Sequence, residues 1–556
     1  MAADARLDPI ASPSLGTLGW YAEVTPNVAP ASPVVTHFRR KGGGFELRKD
    51  AYDSAEINPN RMTADSRHGV RRAVGDVDAE LSVQSYDAFW EALLGGTWST
   101  GVTLTGGGAD FDSLAANGTT NVLTYAGLVG EHGLQFGDRI EIANAAEADL
   151  NGKWTVVAAS ASNVTVAEDL PTASADTGGT LTVTRLGKRL VIGNTYRTFG
   201  FEEALGGISQ FQLFSGVKTN TAEINLPPTG IATVKWTFVG QEAGPMTGTS
   251  IYGDPPVAKT QADYGTLTFN AAARTITRAS GDFTTTFEVG DQLRFTGITL
   301  QHLKKILTVL AVSATVITVA ETIEGGTAAT YTMTRIAKAT YLPAPQTSVL
   351  AAASGVLLVD GEAIGTVTGF QFTIDNGISG APVVGSNSIP QLVWGARQSI
   401  SGRLTALLQE GGIYGKFEGE IEANIIMRLD DPDGHWLQFA MPRVKLNSAQ
   451  LDRSANEGIP ITVDVVALES RRDDCEVTCA TNVSHGVLST NASGGSTMTV
   501  TPTAAMRYTH QGARLMACRN RPLPGSSARS HRAPVRRTPC RRRRWPRPKR
   551  WRSDTC

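Results

Sequence analysis

Apolar residues in this chain recur at every second position in short runs, the period of a strand with one buried face. Val77, Ala79 and Leu81 alternate with Asp78 and Glu80, and Leu404, Ala406 and Leu408 repeat the spacing far downstream. Val164 with Val166 and Ile317 with Val319 do the same, and a Gly-Asp pair after Phe136 and again after Val289 supplies a turn into the next strand. One stretch departs from this rhythm. In SYDAFWEALLGG (85–96) Tyr86, Phe89, Trp90, Leu93 and Leu94 fall on one side of a helix, with Ser85 placed to cap it, Asp87 suited to its positive end and Gly95 to stop it. Phe89 and Trp90 are expected in a core rather than on a binding surface.

The strand-like segments are repeated in two ways. GDRIEI at Gly137 pairs with GDQLRF at Gly290, and WTVVAASASNVTVAE at Trp154 with LTVLAVSATVITVAE at Leu307, both at an offset of 153; each copy closes on a similar strand, LTVTRLGK or YTMTRIAK. These define two small β modules, 101–188 and 255–338. A more divergent repeat links GFELRKD at Gly44 to GFQFTID at Gly369, GDVDAEL at Gly75 to GRLTALL at Gly402, VKTNTAEI at Val217 to VKLNSAQL at Val444, and GIATVKWTFV at Gly230 to GIPITVDVVA at Gly458. Their order is preserved, which duplication of one β domain explains better than convergence. The first copy spans 20–100 and 189–247 with the first module inserted; the second spans 341–470. Each copy carries a long connection at the same place, residues 50–73 and 375–399, and loops of this length inside compact domains are usually binding elements or disordered. Where the first copy has its helix the second has LLQEGGIYGKFEGE, whose Gly411, Gly412 and Gly415 weaken one.

Composition narrows the class. At 556 residues, with 58 glycines, 7% aromatic and 19% charged residues, the chain suits several β-rich domains. Its formal charge of −1 conceals an asymmetry. The last 51 residues hold 15 arginines, one lysine and one aspartate, which leaves 35 basic and 51 acidic residues before them, a balance of −16. The basic segment, 506–556, has six prolines and cannot build a core; a disordered segment, with the bias of a GC-rich coding region read out of phase, accounts for it better than a nucleic-acid-binding arm, although Trp545 and Trp551 among arginines suit that chemistry too. Residues 471–505 read as the opening of an incomplete immunoglobulin-like β segment. No cysteine precedes Cys475, so the body is expected to fold without disulfides, and no export signal or membrane-length apolar run is expected.

No catalytic pattern stands out. A phosphate loop, HExxH, GxSxG and CxxC are all missing, so the expectation is a protein without catalytic residues, cofactor or metal. Asp431 and Asp433 in LDDPDGHWLQF offer too few carboxylates for an EF-type calcium loop and read as a hairpin turn. Cys475 and Cys479 have a metal-like gap without a second pair.

The segment SAEINPNRMTADSRHGVRRAVGDVDAELSVQSYDAFWEALLGGTW (54–98), with VKTNTAEI and its counterpart, resembles the tail tube proteins of long-tailed bacteriophages. That resemblance implies a mainly β fold: tandem duplicated β-sandwich or barrel-like domains with a flanking helix, assembled in rings of six domains that stack into a hollow tube. A duplicated domain implies that three chains close a pseudo-sixfold ring, a hexamer of chains being the other possibility. The implied partners are further copies of the chain, other tail proteins and genomic DNA passing without sequence-specific binding, with no membrane; the implied location is the virion, after assembly in the host cytoplasm. Carried over by position, Asn58, Arg61, Arg67, Arg71, Arg72, Asn387 and Arg397 lie in arms between subunits or rings. The small modules are expected to face outward. The rival reading is a carbohydrate-binding surface protein, for which Trp154 is the aromatic platform available in the modules.

Overall fold

The computed structural model describes residues 16–481 apart from short stretches at 31–32, 58–61, 63–64, 206–207, 209, 255–256, 301–302, 304–305, 337, 340, 365–366, 409–411, 454–457 and 471–476. Asn58, Arg61, Cys475, the segment 482–505 and the basic tail 506–556 lie outside the described residues.

The first body consists of β1 (Gly16–Glu23), β2 (Gly42–Asp53), β3 (Ser66–Glu80), α1 (Asp87–Leu94), β4 (Thr198–Leu205), β5 (Gln210–Leu226), β6 (Thr233–Gly240) and β7 (Glu242–Thr247). The second consists of β8 (Gly355–Val359), β9 (Val367–Asp375), β10 (Ser399–Leu407), α2 (Gly412–Glu418), β11 (Ala423–Asp430), β12 (Trp436–Leu446), β13 (Gln450–Leu451), β14 (Pro460–Ala467) and β15 (Thr478–Thr481). Every pairing in the first is antiparallel: β1–β4, β4–β5, β5–β6, β6–β3, β3–β2, with β7 beside the first half of β5. The second repeats them as β8–β11, β11–β12, β12 and β13 with β14, β14–β10, β10–β9, with β15 beside the first half of β12. Thr478–Thr481, within the stretch read as a separate module, thus continues the second body's sheet.

Registers coincide as well as order. Val234 sits opposite Ile224 and Ala79, and 227 residues later Ile461 sits opposite Leu451 and Ala406. The β4–β5 ladder slips between Phe199 and Phe201, and the β11–β12 ladder slips at the matching Ala423 and Ile425. The β2/β9 equivalence needs correcting. The phrase match sets Phe45 on Phe370, whereas the ladders put Phe45 opposite Gly75 and Phe372 opposite Gly402, an offset of 327. The Phe45 ring lies over Gly75, where an added methyl group would come within 2.5 Å of it, and a methyl group on Gly402 would meet the Gln371 carbonyl at 2.7 Å and Phe372 Cβ at 2.9 Å.

Because β5 belongs to both layers, the apolar faces of β4 and of β6 and β3 enclose one core. Phe201 meets Phe238 with ring centroids 5.1 Å apart, and Phe89 and Trp90 of α1 fill the space beside Trp236. The helix ends as expected, at Gly95 with φ of 65°. Its start differs: Tyr86 is the N-cap without a side-chain cap, since the Ser85 hydroxyl meets Ser82 and Arg39. Asp87, inside the first turn, is buried and pairs with Lys188 at 2.5 Å. The second body forms a helix too, α2, despite Gly412 and Gly415, with Ile413 and Phe417 resting on the core.

Two eight-stranded sheets lie outside the bodies, one from strands between 103 and 185, the other from strands between 257 and 335, with the same strand order and separate apolar cores. In both a glutamate ties two strands, Glu168 to Thr155 and Glu321 to Thr308. Phe136 of the first packs on Leu358, Ile426 and Ala440, the outer face of β8, β11 and β12. Among the described residues no helix is long and apolar enough to cross a membrane.

Candidate functional site

The two bodies meet by strand pairing. The second half of β5 runs antiparallel to β9, Thr221 opposite Asp375 through to Leu226 opposite Phe370, so β2–β3–β6–β5–β9–β10–β14–β13 form one continuous surface across both. On its core face Ala222, Ile224, Phe372 and Ile374 are buried. On its other face the Gln371 amide donates to Glu223.

Helix α1 covers this joint from the core side. Trp90 lies 4.6 Å from Trp236 of its own body and 5.1 Å from Phe439 of the other. Its C-terminal carbonyls are unsatisfied within the helix; that of Leu93 accepts from Asn376 Nδ2 and Gln398 Nε2, both at 2.9 Å, from the second body.

The long connection of the second body, 376–398, folds back over the first. The Asn387 carbonyl accepts from the Arg71 backbone at 2.8 Å, that of Pro390 from Gln241 at 2.9 Å and that of Leu392 from Lys218 Nζ at 2.6 Å, while Trp394 stacks on Tyr196 at 4.1 Å. Lys218 also sits 4.2 Å over the Tyr196 ring, and burial lowers its ammonium pKa to about 8. Its counterpart Lys445 is half-exposed and reaches Glu420 at 3.2 Å.

The equivalent stretch of the first body is different in kind. Much of what reads as a loop is strand: Ala51, Tyr52 and Asp53 pair with His68, Arg67 and Ser66 in a ribbon, and Tyr52 and Ile57 are exposed. Of the arginines named from sequence, Arg71 is held by Glu242 and Arg72 lies 3.6 Å from Asp50, while Arg67 stands exposed on the ribbon. Arg397 is exposed on the second connection, and Asn387 contributes its backbone rather than its side chain. Sequence reasoning missed Lys218, Gln241, Asn376 and Trp394; the VK phrase containing Lys218 marked its place without indicating its partner.

The polar face of the continuous sheet carries Glu46, Asp76, Asp78, Glu80, Glu223, Asp375 and Asp464 against Arg48, Arg72, Lys235 and Arg403. Three of those bases are paired, Arg48 with Glu46, Arg72 with Asp50 and Arg403 with Asp464.

Asp431, Asp433 and His435 bring their ligand atoms together on the β11–β12 hairpin. Asp431 is engaged there by its own turn, accepting from the Asp433 and His435 backbones at 2.9 and 2.7 Å and facing His435 Nδ1 at 2.9 Å. Trp154 is largely buried and donates to the Leu150 carbonyl at 3.1 Å, so it is packing in its module rather than a platform.

Comparison with known families also finds a duplication. The family model described as phage tail tube protein matches the chain twice, over residues 13–301 and 271–467. The chain belongs to that family. Each match takes in one of the two bodies, so the tail tube unit occurs twice in this protein, and no curated protein matches it. As a tail tube protein it is a structural component of the phage virion.

Proposed function

We propose that this tail tube protein polymerises as closed rings that stack into a hollow conduit for DNA. The observation that carries the reading is the continuous sheet, which joins two equivalent bodies side by side and ends in strands whose outer edges are open among the described residues. Repetition of one heterologous contact closes a ring when its rotation divides a full turn. Three chains then place six tube units around the hole, in preference to six chains with half their units outside it. The carboxylate-rich face suits the bore, since it repels phosphate where a basic face would retain DNA. The first small module sits on the opposite layer, which would leave it outside the tube. The ribbon containing Arg67 serves as the arm that reaches a neighbour, and the reading carries no catalytic role.

Negative-stain microscopy of the purified full chain tests this. Rings or tubes with a central hole are expected, and monodisperse single chains at every concentration would overturn it.

A further inference from the structure

Pairing β5 with β9 inside the chain leaves the equivalent edges at the two ends of the sheet. The counterpart of β9 is β2 and that of the second half of β5 is the segment through β13; among the described residues β2 pairs with β3 alone and β13 with β14 alone. We infer that β13 of one copy pairs antiparallel with β2 of the next, in the register of the internal joint. This rests on the ring reading above and adds to it the strands and register that make the ring.

The equivalences fix the register. β5 maps onto β13 with an offset of 227 through their shared partners β6 and β14, and β2 maps onto β9 with an offset of 327 through β3 and β10. Ile224 opposite Phe372 therefore becomes Leu451 opposite Phe45, Ala222 opposite Ile374 becomes Ala449 opposite Leu47, and Glu223 opposite Thr373 becomes Gln450 opposite Glu46.

Three features of the single chain fit a joint waiting for its other half. Leu47, Ala449 and Leu451 are only partly buried, although all their counterparts at the internal joint are fully buried. On the polar face the register sets a carboxylate, Glu46, opposite a primary amide, Gln450, where the internal joint has a Gln371–Glu223 contact on the diagonal. Finally, α1 covers the internal joint with six buried residues, whereas α2, at the same place in the second body, has none, and its Tyr414 is exposed. Open sheet edges are sites of pairing with another chain, and here the occupant that fits is a second copy, because the chain already contains the complementary pair.

The test introduces Glu46→Cys and Gln450→Cys together in the full chain and assembles it under mild oxidation. The expected result is a ladder of covalently joined chains ending at three, above the background of the native cysteines and of either single variant; Gln450→Cys with Asp76→Cys, one strand further in, stays unlinked. Hydrogen exchange on the unmodified protein should show the amides of 45–49 and 447–451 more than tenfold slower in assembled than in dispersed chains. Rings in the microscope without the cross-link or the protection would overturn this register while leaving the ring reading intact. Absence of rings at every concentration would overturn both.

Discussion

The two bodies share strand order, ladder registers and even the slip in the β4–β5 and β11–β12 ladders, yet one is finished and the other is not. In the first, α1 is packed against both bodies and Lys218 is enclosed by the connection 376–398. In the second, α2 lies at the rim and Lys445 stays half-exposed. The difference lies at the equivalent edge of each body: the second half of β5 has β9 of the second body beside it, while among the described residues β13 has no strand beyond it. A duplicated fold thus shows one interface twice, occupied and open.

The sharpest way to break the comparison is to remove what fills the occupied joint. Trp90 is buried between Trp236 and Phe439, and truncating a core tryptophan costs about 3–5 kcal/mol. Trp90→Ala should lower the unfolding free energy of the joined bodies by that amount while the small modules, with cores of their own, keep theirs. A loss confined to the first body, with the second melting as before, would show that the helix does not hold the two together.

Lys218 sharpens the comparison through pH. Its pKa is lowered from 10.5 to about 8, so between those values the unfolded chain binds the proton that the folded chain has released. Stability then rises as pH climbs from about 8 to 10.5, by about 2–3 kcal/mol at most. The difference in stability between the wild-type protein and Lys218→Met, measured by urea denaturation across that range, should show this rise. A flat difference would mean that the amine is not enclosed by the connection, and that the two lysines do not differ in environment.

These contrasts explain what could be read from the residues. The duplication was legible because VKTNTAEI lies on β5 and VKLNSAQL on β12 and β13, each beside the equivalent strand, β6 or β14. The β2 match slipped by two because strand patterning has a period of two, and only the ladder to Gly75 and Gly402 fixes it. The ribbon of 51–53 with 66–68 was hidden because both its faces are exposed and leave no alternation to detect. Helix α2 survives its glycines, each worth about 1 kcal/mol against a helix, because Ile413 and Phe417 rest on the core. The joint itself pairs residues some 150 positions apart and has no local signature; it shows only as a matching set of apolar positions.

The smallest effect on stability falls where the effect on assembly is largest. Phe417 of α2 is half-buried against the core, with Tyr414 beside it facing solvent. Its removal from a dispersed chain uncovers little, and Phe417→Ala should lower the unfolding free energy by about 1 kcal/mol or less. If α2 completes a joint with the next chain as α1 does within this one, the same truncation takes an anchor from the centre of an interface, where a large apolar residue contributes about 2 kcal/mol or more. The concentration at which rings form should then rise more than tenfold, with the folded chain intact by circular dichroism. Equal losses in both measurements would place Phe417 in the second body's own core and make α2 a finished element rather than an open one.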